Sequence, residues 1–190
     1  MAKQLPALTP VLRQFIERQK IFFVASAPPG ARVNLSPKGN ECLAVLSDNA
    51  IAYLDRTGSG NETAAHMLAD GRLTFMFCAF EGPPMILRLY GRGTVLHRSS
   101  AEFADLVDQH FGGRKVPGCR QAIRLDFDLV QTSCGYAVPL MDYVEDRRVL
   151  DDWAEQKSEE ELEAYWRLKN QRSLDGLPTG LIEEEAQALG

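Results

Sequence analysis

The chain has 190 residues, 45% hydrophobic and 25% charged, with a formal net charge of −5 and a pI near 5.3: one globular domain with a core of its own is the expectation. The acidic balance, with bases scattered among acids rather than gathered in a stripe, argues against nucleic acid as a main partner. No apolar run has the length of a membrane span and Met1 to Pro6 lack the apolar core of a secretion signal, so the expected location is cytoplasmic.

Thr9-Pro10 supplies an N-cap and a proline at the first helical position, and Leu12, Phe15 and Ile16 share a face of a helix running to about Lys20. Residues 21–27 are rich in β-formers and end at Pro28-Pro29-Gly30. A second strand, 32–36, is closed by Pro37-Lys38-Gly39, and 42–46 with 50–54 form a hairpin around Ser47-Asp48-Asn49. Next comes a polar loop, 55–63, and a short helix at 64–68, with Ser59 and Glu62 at capping-box spacing.

Gly71 stops that helix, 72–80 is a strand, and Glu81-Gly82-Pro83-Pro84 turns the chain into a long strand, 85–97. Gly91 and Gly93 inside that strand predict a bulge or a tight barrel corner. Ser99 or Ser100 caps a helix that runs to Phe111 and stops at Gly112-Gly113. Residues 121–136 offer one or two more strands. A single charged helix is predicted from 151 to about 171, with Trp153, Leu162, Tyr165, Trp166 and Leu168 only partly on one face, and a loose end from Leu177 onward. The pattern predicts an α+β fold: a small antiparallel β-barrel of six or seven strands with flanking helices and a C-terminal helix.

The loop Asp55-Arg56-Thr57-Gly58-Ser59-Gly60-Asn61-Glu62-Thr63 carries the chief functional signal. Two glycines let backbone N–H groups approach a ligand, and a helix start adds unpaired donors and a partial positive charge, which suit a phosphate. Arg56 adds a fixed charge, and Thr57, Ser59, Asn61 and Thr63 add short polar side chains; a capped turn would account for the same residues. A P-loop is absent, and the dinucleotide fingerprint lacks its third glycine, although Glu81 stands at the spacing of the ribose-binding acid. Strand, turn and strand follow, which builds antiparallel sheet and points to a mononucleotide phosphate clamp on a barrel. Asn34 and Ser36, two apart on one strand face, with Lys38 after them, make a second polar segment beside the first.

The cysteines, Cys42, Cys78, Cys119 and Cys134, are dispersed, as are the three histidines, which favours buried free thiols over zinc or disulfides. Cys134, in Thr132-Ser133-Cys134-Gly135-Tyr136, has no histidine near in sequence to activate it, so a ligand-lining turn is the better functional reading there and core packing the plainer one.

Taken together, 33–39, 55–63, 77–84 (Phe77-Cys78-Ala79-Phe80-Glu81-Gly82-Pro83-Pro84) and 87–93 (Leu87-Arg88-Leu89-Tyr90-Gly91-Arg92-Gly93) resemble the pyridoxamine 5′-phosphate oxidase-like family of flavin-binding split barrels. The resemblance runs from about 22 to 143 and continues into Tyr165-Trp166 and Ser173-Leu174-Asp175-Gly176. It implies a single FMN-binding domain, with the barrel at about 20–143 and a helical extension at about 150–190, and a homodimer with FMN at the subunit interface. By position it implies that Asn34, Leu35 and Ser36 line the flavin ring with Tyr53 and Leu54 beside them. Ser59, Gly60 and Asn61 clamp the phosphate, within Thr57–Thr63, and Arg56 and Lys38 supply charge. Two departures stand out: Gly60-Asn61 replaces the basic pair of the oxidase clamp, and no histidine follows His110, so the basic, histidine-containing C-terminal motif is missing. The resemblance therefore implies an FMN-dependent oxidoreductase acting on a small substrate, or using NAD(P)H, other than in vitamin B6 oxidation. A flavin carrier or sensor without turnover, or a binder of F420 or haem in the same barrel, are the alternatives.

Overall fold

Alternation of buried and half-buried side chains marks the first long strand of the central sheet. In Ile21–Ser26 (β2), Phe22 and Val24 point inward and are fully buried, while Ile21, Phe23 and Ala25 lie half-buried on the outer face. In the computed structural model, which describes residues 2–182, β2 belongs to an eight-stranded antiparallel sheet. The other strands are Lys3–Leu5 (β1), Asn34–Gly39 (β3), Leu43–Val45 (β4), Ala50–Arg56 (β5), Arg72–Cys78 (β6), Ile86–His97 (β7) and Cys119–Ser133 (β8). Their order is β3-β2-β6-β7-β8-β5-β4, with β1 added on β8.

The expected barrel of six or seven strands is thus seven strands on one path plus β1, which the sequence reading did not contain. β1 is three residues long, too short for alternation to register, and exists by pairing Leu5 with Val130 and Lys3 with Thr132. One edge of β8 pairs with β7 along its length, and the other is shared by β1 at one end and β5 at the other. Asn49 holds the junction, giving its side-chain amide to the Phe127 carbonyl at 3.0 Å. The glycine signal in β7 was sound: its register against β8 slips between Tyr90 and Gly91, and a Cβ on Gly91 would run into the Asp126 carbonyl.

Among the described residues five α-helices flank the sheet: Pro10–Arg18 (α1), Glu62–Ala69 (α2), Ala101–Phe111 (α3), Val149–Glu155 (α4) and Glu159–Lys169 (α5). Thr9 and Ser100 cap α1 and α3 through their hydroxyls, and Gly112 ends α3 with φ at 66°. The single C-terminal helix expected over 151–171 is instead two, because Ser158 and Glu161 form a capping box that starts a new helix. Nor is the chain after Leu177 loose where it is described. Thr179 is fully buried, and its hydroxyl donates to the Asn170 carbonyl at 2.7 Å. The rest of the predicted extension, 183–190, lies outside the described residues. The core centres on Phe22, whose ring lies 5.8 Å from Tyr53, 5.5 Å from Phe75 and 5.7 Å from Phe77.

Candidate functional site

β5 and β8 pair regularly from Ala50 opposite Asp126 to Asp55 opposite Gln121, and then slip, so that Arg56 faces Cys119 and Arg120 is the extra residue. Such a bulge re-aims a side chain and ends the pairing. Thr57 closes it, its amide and its hydroxyl both donating to the Gly118 carbonyl at 2.7 Å. The chain then turns through 58–61 into α2.

Asn61 is the N-cap of α2 and makes no side-chain capping bond, so the capping box expected between Ser59 and Glu62 does not form. The Glu62 carboxylate instead accepts from the Leu174 amide at 3.0 Å. Gly58 and Gly60 are absent from the positive-φ glycines, so neither turn depends on left-handed backbone. Their contribution is the missing side chain, which leaves the backbone at 58–60 open on the side of the neighbouring cleft.

Between this loop and β3 lies a cleft of about 440 Å³. β3 contributes Asn34, Ser36 and Lys38, and β5 contributes Leu54 and Arg56. Thr57, Ser59, Gly60, Asn61 and Thr63 supply the opposite wall. Alternation works as expected on β3: Ser36 donates to Asn34 Oδ1 at 3.2 Å, and Asn34 Nδ2 donates to Thr63 Oγ1 at 3.2 Å, tying the two walls together. Two predicted residues do not line the cleft. Leu35 points to the other face and is 61% exposed, and Tyr53 is fully buried in the aromatic core. For Leu35 period-two alternation is the reason, since it lies between Asn34 and Ser36 and points the other way. Tyr53 instead lies beneath the cleft, its ring centroid 5.2 Å from Lys38 Nζ, and is closed off by burial. The pairing β3–β2 also extends through Gly39, so Pro37 and Lys38 are strand residues rather than the expected turn. Pro37 is tolerated because β3 ends the sheet path.

Asp55 organises the charge beneath the cleft. Lys38 Nζ lies 3.2 Å from Asp55 Oδ1, and Arg120 Nε donates to Oδ2 at 2.8 Å. Gln121 Nε2 donates to the same oxygen and to Asn61 Oδ1, both at 2.9 Å. Burial pushes the Asp55 carboxyl up, but the Arg120 and Lys38 charges, with hydrogen bonds from Arg120 and Gln121, outweigh it and hold it at about 2. Arg120 Nη1 is buried without a hydrogen-bond partner. Arg120 lines the cleft and was missed from the sequence, where it reads as an ordinary residue at the head of a strand; only the bulge gives it a direction.

Arg56 is differently placed. It pairs with Asp151 of α4, lies 3.9 Å from Glu41, and donates from Nε to the Pro117 carbonyl at 3.4 Å. Cys42 also lines the cleft; burial, then the nearby Glu41 charge, pushes its thiol up to about 12, and it donates to the Gly39 carbonyl at 3.0 Å. It is a protonated packing group. Cys78 and Cys119 are buried as expected, whereas Cys134 is exposed after the end of β8, and 132–139 contribute nothing to the cleft.

The C-terminal helices cover this chain's own loop. Trp166 Nε1 of α5 donates to Thr57 Oγ1 at 2.8 Å, and Asn170 Nδ2 donates to the Gly58 carbonyl at 3.0 Å. Both side chains are buried. Uncapped helix donors, the Ser59 hydroxyl, a lysine and a guanidinium with a spare N–H together suit an anionic group.

The family model for pyridoxamine 5′-phosphate oxidase matches residues 8–134, from the approach to α1 to just past the end of β8. The chain belongs to the pyridoxamine 5′-phosphate oxidase family. A member of that family from Aspergillus flavus, the pyridoxamine 5′-phosphate oxidase family protein ustO, is 41% identical over 188 residues, covering 90% of this chain and 75% of that protein. Among solved structures, a putative pyridoxamine 5′-phosphate oxidase from Lactobacillus delbrueckii superposes with a TM-score of 0.51 at 14% identity, over 66% of this chain and 94% of its own. HupZ of Group A Streptococcus gives 0.52 at 17%, over 65% and 91%. At those identities the family likeness is one of fold, the split barrel. No helix among the described residues is long and apolar enough to cross a membrane.

Proposed function

We propose that this chain is an FMN-dependent oxidoreductase, a homodimer that holds one FMN in each β3–α2 cleft, close to the subunit interface. The observation that carries the reading is the convergence of Lys38, Ser59 and the uncapped start of α2 on one cleft in a member of this family. When bound, FMN supplies the hydride chemistry. The chain's task is then to hold and orient. Lys38, Ser59 and the loop amides grip the phosphate, while Asn34 and Ser36 present an amide and a hydroxyl along the ring edge.

The cleft holds no acid–base pair of its own that would suggest another chemistry. None of His66, His97 and His110 lines it, and the Cys42 thiol stays protonated. The lack of a histidine also favours flavin over haem, whose iron commonly takes an axial imidazole. Vitamin B6 is not the proposed substrate, given the missing C-terminal motif.

The dimer reading rests on an apolar outer face. Leu35 and Val33 are 61% and 74% exposed, and Leu35 shares the outer face of the β2–β3 pair with half-buried Ile21 and Phe23. A second cleft of about 1000 Å³ adjoins them, lined by Phe15, Ile21, Phe23, Phe80, Met85 and Met141 among others. An apolar patch of this kind is buried by a two-fold partner at little cost in polar groups.

The test is spectroscopic. Purified protein supplied with FMN should show bound-flavin absorption that bleaches when NADH or NADPH is added without oxygen and returns with an oxidant. Bound flavin that neither donor reduces would point to a carrier and overturn the enzymatic part of the reading.

A further inference from the structure

We propose that Arg120, rather than Arg56, is the guanidinium that grips the phosphate of the cleft's ligand. The inference rests on the FMN reading and concerns which residue of this chain recognises the anion.

Three basic side chains line the cleft, and they differ in what they have left to give. Arg56 is engaged on three sides, by Asp151, by Glu41 and by the Pro117 carbonyl. Two carboxylates against one guanidinium leave that corner with a formal charge of −1, which does not attract a phosphate. Asp55 is shared by Lys38 and Arg120, two cations against one anion, which leaves +1. The anion-attracting side of the cleft is therefore the Asp55 side.

Arg120 is also the base with a donor to spare. Its side chain is 4% exposed and held by Nε on Asp55 at 2.8 Å, while Nη1 is buried with no acceptor. A buried guanidinium N–H without a partner is costly, and native structures leave few of them unexplained. A ligand oxygen placed there would remove that cost on binding. The side chain loses little freedom, since the Asp55 contact already fixes it.

The backbone gives this placement a cause. Arg120 is the extra residue of the bulge between β5 and β8. A regular ladder would give 120 a partner on β5 and a fixed side; the bulge frees it from that register, so that it contributes to the wall of the cleft alongside Lys38 and Ser59.

Equilibrium titration of the ligand-free protein with FMN and with riboflavin, which lacks the phosphate, tests this without reference to turnover. In the wild type FMN should bind about a hundredfold more tightly or better. Arg120→Gln should cut that preference by about tenfold or more with riboflavin affinity nearly unchanged, and Arg56→Gln should alter it by less than about threefold. If Arg120→Gln does not fold, Arg120→Lys decides: its ammonium retains the charge beside Asp55 but has one nitrogen in place of the guanidinium fork, so none is left to reach the phosphate and the preference should again fall. An unchanged preference in the Arg120 variants, or its loss in Arg56→Gln instead, would overturn the assignment while leaving the FMN reading intact. A wild type that binds FMN and riboflavin equally, or neither, would remove the FMN reading itself.

Discussion

At Asp55, burial and charge oppose each other, and the outcome sets how the cleft behaves in acid. With its carboxyl held at about 2, below the ordinary 3.8, the ionised form is favoured in the folded chain. The stabilisation is fully present above about pH 4 and is lost as pH falls through about 2. A shift of this size corresponds to roughly 2 kcal/mol. Asp55→Asn should therefore lower the melting temperature at pH 7, where Lys38 and Arg120 lose their counter-charge, and flatten the acid limb between pH 4 and 2. Thermal melts across that range check both, and an acid limb as steep as the wild type's would show that other carboxyls dominate it. At this scale the sequence was a partial guide. The positions of Asn34, Ser36 and Lys38 on one face followed from alternation, and the same rule, applied to Leu35, would have excluded its side chain. Tyr53 is closed off by full burial, which alternation does not announce in a strand buried on both faces. Arg120 was illegible because its direction depends on a register slip between strands 60 residues apart, which no local pattern announces.

At the scale of elements, the loop 57–61 is held by the C-terminal part of its own chain. Asn170 is fully buried, donates to the Gly58 carbonyl, and through its own carbonyl accepts from Thr179. Asn170→Ala would leave the Gly58 carbonyl without this donor, and a loss of about 1–3 kcal/mol is expected, with faster proteolysis in 57–61. Urea unfolding and limited digestion measure the two effects; a fully stable variant with an unchanged digestion pattern would mean that the loop holds its own shape. Ser158→Ala removes the hydroxyl that caps α5 and should cost about 1 kcal/mol by the same urea measurement. The division between α4 and α5 was in fact written in the sequence, since Ser158 and Glu161 stand at capping-box spacing. The long run of charges around them masked it. Conversely, Ser59 and Glu62 have the same spacing and form no box, because α2 starts at Glu62 with Asn61 as its N-cap, and the Glu62 carboxylate accepts from the Leu174 amide. Spacing proposes a cap, and tertiary competition decides it.

For the whole molecule, the antiparallel barrel class and the succession of strands were recoverable from strand and turn signals, whereas the order of strands in the sheet and the apolar faces they share are visible only once strands stand side by side. Ile21, Phe23 and Leu35 belong to two paired strands, and their shared outer face is what the dimer reading uses. Leu35→Glu should place a charge in that face and convert a dimer to a monomer at micromolar concentration, with weakened FMN binding as the interface opens. Sedimentation velocity reads the mass directly, and a variant that remains dimeric would move the interface elsewhere.

The central claim is that a phosphate-bearing flavin occupies the β3–α2 cleft, and calorimetric titration of the ligand-free protein with FMN tests it most directly. The account predicts saturable binding of one FMN per chain, lost when Lys38 and Ser59 are replaced together. FMN that fails to saturate the protein, or that binds the double variant as tightly as the wild type, would contradict it.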